Sequence, residues 1–112
     1  MRTVNKPWGH EEIWAETDRY VGKTLHIKGG HRLSRQFHKK KDETIRVLSG
    51  ILTLEIGRED SIRRDILMEG AVFHVLPGTV HRFCAERGDV SLVEVSTPEL
   101  DDVVRLEDDY VR

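Results

Sequence analysis

The stretch GGHRLSRQFHKKKDETIRVLSG, residues 29–50, decides the fold, because glycines bound two strand-like runs that carry chemically distinctive residues. Side chains two apart on a strand share a face, so Gln36 and His38 project together, and Glu43 follows after the basic turn of Lys39, Lys40 and Lys41. A second stretch, AVFHVLPGTVHRF (71–83), is an apolar strand closed by a Pro-Gly turn, which predicts delivery of His81 to the same place. Imidazole, carboxylate and amide donors together suit one borderline divalent cation such as zinc, manganese, iron, nickel or cobalt, and suit soft thiolate metals poorly.

Outward from these two stretches, short runs rich in Val, Ile, Leu, Thr and Phe recur at intervals of about ten residues, the pattern of an all-β sandwich or barrel. Strands are expected near 11–15, 20–28, 33–38, 44–49, 51–57, 62–67, 71–76, 80–85 and 90–96. Gly29-Gly30, Gly57, Gly70, Pro77-Gly78 and Gly88-Asp89 punctuate them, and Ser49-Gly50 before ILTLEIG reads as a tight hairpin. From Glu99 to Glu107, the spacing of Leu100, Val103, Val104 and Leu106 predicts a short helical turn near the C-terminus. With no linker, repeat or low-complexity tract, residues 1–112 read as a single domain.

A chain of 112 residues with 38% hydrophobic content can build one core without staples. Its single cysteine, Cys84, excludes an internal disulfide and reads as a half-buried strand residue in a reducing, cytoplasmic protein. No apolar run reaches membrane-spanning length, and a net charge of −2 lacks the electropositive footprint of a nucleic-acid binder. The three consecutive lysines are expected to face water or a phosphate. His26 and His31 read as exposed strand and turn residues, while Trp8 and Trp14 should cap the barrel or fill a subunit contact. Phe37, Val47 and the N-terminal strand KPWGHEEIWAE offer surface to a second copy, so a homodimer is expected.

Set side by side, these pieces resemble the cupin superfamily, small double-stranded β-helix (jelly-roll) barrels that often hold a metal in the mouth. The first cupin frame appears as Gly30, Gln36, His38, Glu43 and Gly50, with glutamine in place of the first histidine. The second appears as Gly70, Leu76, Gly78 and His81, with the proline moved one step to Pro77. Within cupins the chain is most similar to the type II phosphomannose isomerases, including the isomerase domain fused to mannose-1-phosphate guanylyltransferases. KPWGHEE from Lys6, VGKTLHIKGGHRLSRQFH, GTVHR (78–82), LVEVS (92–96) and DDVVRLEDDYVR (101–112) carry that similarity, and the branch has glutamine at the position of Gln36.

The resemblance implies aldose–ketose isomerisation of mannose 6-phosphate and fructose 6-phosphate, with Gln36, His38, Glu43 and His81 as ligands of one divalent metal ion. Lys23, Lys28 and Arg82 fall on basic positions of the family pattern and become candidates for sugar-phosphate binding. Glu94, His74 and Arg105 are the candidates for catalysis, His74 standing where the family has tyrosine. Departures lie close to the ligands: Lys39, Lys40 and Lys41 replace a His-rich stretch, and Thr44-Ile45 replaces a His-Trp pair. Those changes keep two other functions open, another metal-dependent cupin enzyme such as a dioxygenase, and a non-catalytic sugar-binding module.

Overall fold

Two antiparallel sheets face each other across one apolar core in the computed structural model, which describes residues 1–111. Arg112, the last residue of the expected domain, lies outside the described residues. The strands are β1 (Arg2–Lys6), β2 (Gly9–Glu16), β3 (Val21–Ile27), β4 (Arg35–Phe37), β5 (Glu43–Ser49), β6 (Leu52–Ile56), β7 (Arg63–Leu67), β8 (Val72–Val75), β9 (His81–Cys84), β10 (Val90–Ser96) and β11 (Val104–Glu107). One sheet runs β1-β2-β3-β10-β5-β8 and the other β11-β4-β9-β6-β7. This is the all-β double-stranded β-helix that the resemblance implied.

Alternation of side chains explains which residues enter the barrel. Leu25 and Ile27 of β3, Ile45 and Val47 of β5, Leu52 and Leu54 of β6, Phe83 of β9 and Val90 and Leu92 of β10 form the core with Trp8 and Leu33. Each pair is two residues apart, so the intervening residues face outward. Val47 is therefore a core residue, 1% exposed, and not the contact surface expected from its neighbours in sequence. Trp8 is buried as well, whereas Trp14 lies outside, its indole N–H donating to Thr24 and its ring occupying the space a Cβ would need at Gly22.

Three expectations about connections change. Ser49-Gly50 makes no hairpin, because β5 pairs with β10 and β8 while β6 pairs with β7 and β9 in the opposite sheet. Gly50 instead turns the corner between sheets at φ +83°, and a Cβ there would lie 2.2 Å from the Asp89 carbonyl oxygen. Segment Glu99 to Glu107 is not helical: a turn at Leu100 and Asp101 leads into β11, which pairs with β4. Helical spacing yields here to the unpaired edge of β4, since strand formation depends on the neighbour available. The N-terminal residues Arg2–Lys6 form an edge strand beyond the expected set, paired along its length with β2.

Behind the second sheet, the C-terminal tail is clamped by charge. Arg82 is 1% exposed; its Nε donates to the Leu33 carbonyl at 2.8 Å and its Nη2 to Asp109 at 3.0 Å. Arg32 also reaches Asp109, and Arg35 pairs with Glu55 at 2.6 Å. Cys84, fully buried beside these groups, is a free thiol; burial and then the charge of Glu55 push its pKa up to about 11, against the pull of Arg82. A thiol held protonated is a poor nucleophile.

Candidate metal centre

Between the sheets, toward the end where β1 and the turn before β11 close over the barrel, lies a cavity of about 270 Å³. Its lining includes Gln36, His38, Glu43 and His81, the four residues expected to meet there. Strand parity and register bring them together: Gln36 of β4 is the direct cross-strand partner of His81 on β9, and Glu43 opens β5 on the facing sheet.

Three of the four converge on one oxygen. Glu43 Oε1 lies 3.2 Å from His38 Nε2 and 3.4 Å from His81 Nε2. All three side chains are buried. The other ring nitrogens are committed: His38 Nδ1 donates to the Asp102 carbonyl at 2.5 Å, and His81 Nδ1 donates to the Thr79 carbonyl at 2.9 Å. A carbonyl can only accept, so both imidazoles carry their proton on Nδ1 and aim Nε2 at an anionic oxygen. In the neutral rings that places two lone pairs against a carboxylate, which only a proton or a cation can reconcile. Ligand atoms around a first-row ion with bonds of about 2.0–2.2 Å stand roughly 3.3 Å apart in a tetrahedral arrangement, so the spacing fits. A hydrogen bond behind each ligating imidazole is also the usual outer support of a metal site.

Charges around this centre agree. Burial pulls the His38 pKa down, but hydrogen bonding to Glu43 and the charge of Glu43 outweigh it and leave His38 above its ordinary value. Burial pushes Glu43 up, and is overcome by His38, His81 and Lys41, so its carboxyl lies well below the usual range. Both directions mark a place that favours positive charge next to a carboxylate. Gln36 is less committed: its Nε2 donates to Ser34 Oγ at 3.0 Å, leaving Oε1 as the atom it can offer. It lines the same cavity as the other three, with Ser34 holding its amide.

Beyond these three side chains runs a buried chain of alternating charge. Lys41 Nζ sits 3.3 Å from Glu43 and 3.1 Å from Glu94; Lys23 Nζ sits 3.5 Å from Glu94 and 3.1 Å from Glu11. Burial, and then the charge of Glu43, raise Glu94 above the usual carboxylate range against both lysines. Lys41 corrects the expectation that the lysine block faces outward: Lys39 and Lys40 are exposed, while Lys41 is 4% exposed and lines the cavity.

The remaining candidates divide by where their strands aim them. Glu94, Lys23 and Arg105 line the cavity, Arg105 at its exposed rim. His74 does not: it lies on the outer side of β8, bonded to Asp42 at 2.6 Å. Arg82 points away from His81 into the tail clamp, and Lys28 is an exposed residue following β3. His26 is half-buried beside Glu12, and His31 is half-buried and bonded to Tyr110 at 2.9 Å, so neither is simply exposed.

Asp102, which the sequence reading passed over, holds the loop between His38 and Glu43. Its carboxylate accepts the backbone N–H groups of Lys40, Lys39 and Lys41, which bring its pKa down to about 2, and its carbonyl accepts from His38. Nothing in an acidic tail distinguishes this aspartate from Asp101. For Lys41 a signal existed, since it lies two residues before Glu43.

Residues 1–108 match the family model described as "Mannose-6-phosphate isomerase C-terminal". The xanthan biosynthesis protein XanB of Xanthomonas campestris is 32% identical over 99% of this chain and 24% of its own length. The mannose-1-phosphate guanylyltransferase ManC of Salmonella typhimurium is 33% identical over 99% of this chain and 23% of its own. The chain thus spans about a quarter of the length of these curated relatives. Among solved structures, the capsular polysaccharide assembling protein CapF from Staphylococcus aureus superposes with a TM-score of 0.82 at 19% identity, covering 95% of this chain and 34% of that one. Oxalate decarboxylase from Bacillus subtilis gives 0.80 at 15% identity, covering 94% and 30%, a likeness of fold alone.

Proposed function

Because the chain belongs to the mannose-6-phosphate isomerase C-terminal family, we propose that it is a metal-dependent sugar-phosphate isomerase that interconverts mannose 6-phosphate and fructose 6-phosphate. The observation that carries this reading is the aim of His38 Nε2 and His81 Nε2 at one Glu43 oxygen inside a cavity with a cationic rim. His38, Glu43 and His81 would hold the ion, with Gln36 beside them. A divalent cation there supplies Lewis-acid stabilisation of the negative charge that develops on neighbouring sugar oxygens.

The reaction removes the proton on C2 of the aldose and returns a proton to C1, while O1 gains a proton and O2 gives one up. Of the carboxylates that line the cavity, Glu94 would move the carbon-bound proton, and its raised pKa brings it closer to working pH. Lys23 and Lys41 fix its position. Arg105, Lys6 and Arg2 stand around the cavity and would hold the phosphate. The volume lies near the lower end of the roughly 300–1,000 Å³ usual for small-molecule sites, which suits one sugar ring.

The test is conversion of mannose 6-phosphate to fructose 6-phosphate by the purified chain, lost on chelation and restored by a divalent cation. A metal-loaded chain that leaves mannose 6-phosphate unchanged would refute the reading. Sugar-phosphate binding without turnover is the second reading, favoured by the two lysines that occupy one oxygen of Glu94; ligand-raised thermal stability with no product would identify it.

Residues 1–112 would act as one cupin domain in the cytoplasm, where phosphorylated sugars are made and a lone thiol stays reduced. Dimerisation would use the edge strand β1, which pairs on one side only. Among the described residues no helix is long and apolar enough to cross a membrane.

A further inference from the structure

On the outer face of the six-stranded sheet, away from the cavity, β2, β3 and β10 bring a second set of metal-binding side chains together. His10 of β2 is the direct cross-strand partner of His26 on β3, and Ser91 of β10 is its partner on the other side. Glu12, two residues after His10, shares that face. His26 Nε2 lies 2.5 Å from Glu12 Oε1, and His26 Nδ1 lies 2.9 Å from Ser91 Oγ. The His10 and His26 rings stack with centroids 4.6 Å apart and planes 27° from parallel. One ligand atom from each of His10, Glu12 and His26 falls within 4.8 Å of the other two.

We propose that His10, Glu12 and His26 form a second divalent-cation site, for zinc, copper(II) or nickel(II), on the outside of the barrel. Two nitrogens and one carboxylate oxygen match those borderline ions. A dication serves both rings and the carboxylate at once. The three atoms lie within 4.8 Å of one another, and rotation of these half-buried side chains would bring them to the roughly 3.3 Å spacing of a tetrahedral set. Ser91 supports the site from behind: its hydroxyl accepts from His26 Nδ1–H when Nε2 holds the ion. The ion would clip β2 to β3 and leave the remaining coordination positions facing solvent.

The experiment is equilibrium dialysis of the full chain against zinc at neutral pH, with bound zinc measured by elemental analysis and folding followed by circular dichroism. The His10→Gln/His26→Gln double variant should hold one ion fewer than the wild type. Ser91→Ala should keep the ion with about 10-fold weaker affinity. The Glu43→Gln/His81→Ala variant should keep the outer ion, which separates this site from the barrel centre. If the wild type held one ion and the outer double variant none, this site would stand and the barrel centre would fall. An outer double variant that binds as many ions as the wild type overturns the proposal, as does a wild type that binds none.

Discussion

The inner and outer histidine clusters use the same donors but differ in what stands behind the rings. Inside, backbone carbonyls of Asp102 and Thr79 fix the proton on Nδ1 of His38 and His81, so Nε2 is given over to whatever Glu43 faces. Outside, the partner of His26 is the hydroxyl of Ser91, which donates or accepts with equal ease. A carbonyl behind the ring fixes the tautomer that aims Nε2 at the site; a hydroxyl behind it accepts either tautomer. Burial widens the gap, because the inner side chains are almost wholly enclosed while His26 and Glu12 keep about a third of their side-chain surface exposed. The inner centre should therefore be the tight one and the outer centre exchangeable.

The largest effect that would break this contrast is at the inner ligands. His81→Ala should reduce isomerisation to background and weaken divalent-metal binding more than about 100-fold, beyond the loss caused by removing an outer partner of a ligand. Metal titration followed by the sugar-phosphate assay measures both. Lys41→Met comes next: it removes the ammonium between buried Glu43 and Glu94, leaving His38 and His81 on one and Lys23 on the other, and should cost about 3 kcal/mol in urea unfolding, at the lower end for a broken buried pair because Glu94 can take up a proton.

A smaller change is expected at the side chain of Asp102, which acts on the inner centre only through the backbone of Lys39, Lys40 and Lys41 that it holds. Asp102→Asn should weaken metal affinity roughly 10-fold without abolishing it, as for other residues that orient a ligand. Its acid dependence follows from the depressed pKa. The stabilisation it provides is complete above the unfolded value of about 3.9 and is lost as pH falls through about 2, so the stability difference between wild type and Asp102→Asn should shrink across that window in acid unfolding. Smallest of all, His26→Gln should change stability in the absence of metal by no more than about 0.5 kcal/mol and leave isomerase turnover unchanged, while removing the outer ion.

The meeting of Gln36, His38, Glu43 and His81 in one cavity was legible because strand alternation and two glycine-framed stretches place them on inward positions. The same alternation, followed further, argues against Arg82 and His74: a residue beside inward-facing His81 must face outward, and His74 lies between inward-facing Phe73 and Val75. Lys41 was hidden by its company, since a run of three lysines resembles a solvated turn until the register of the loop shows one of them inside. The strand at Val104–Glu107 could not be read from periodicity, because it exists through its pairing with β4. For the corner at Gly50, a Ser-Gly pair looks the same at a hairpin and at a crossing between sheets; only the pairing of β6 with β9 and β7 separates them.

The central claim is that His38, Glu43 and His81 hold one divalent ion. An anomalous difference map, recorded at the zinc edge from crystals grown with zinc, tests it most directly. The account predicts a peak bonded to His38 Nε2, His81 Nε2 and a Glu43 oxygen. Ordered side chains at those three residues with no anomalous density among them would contradict it.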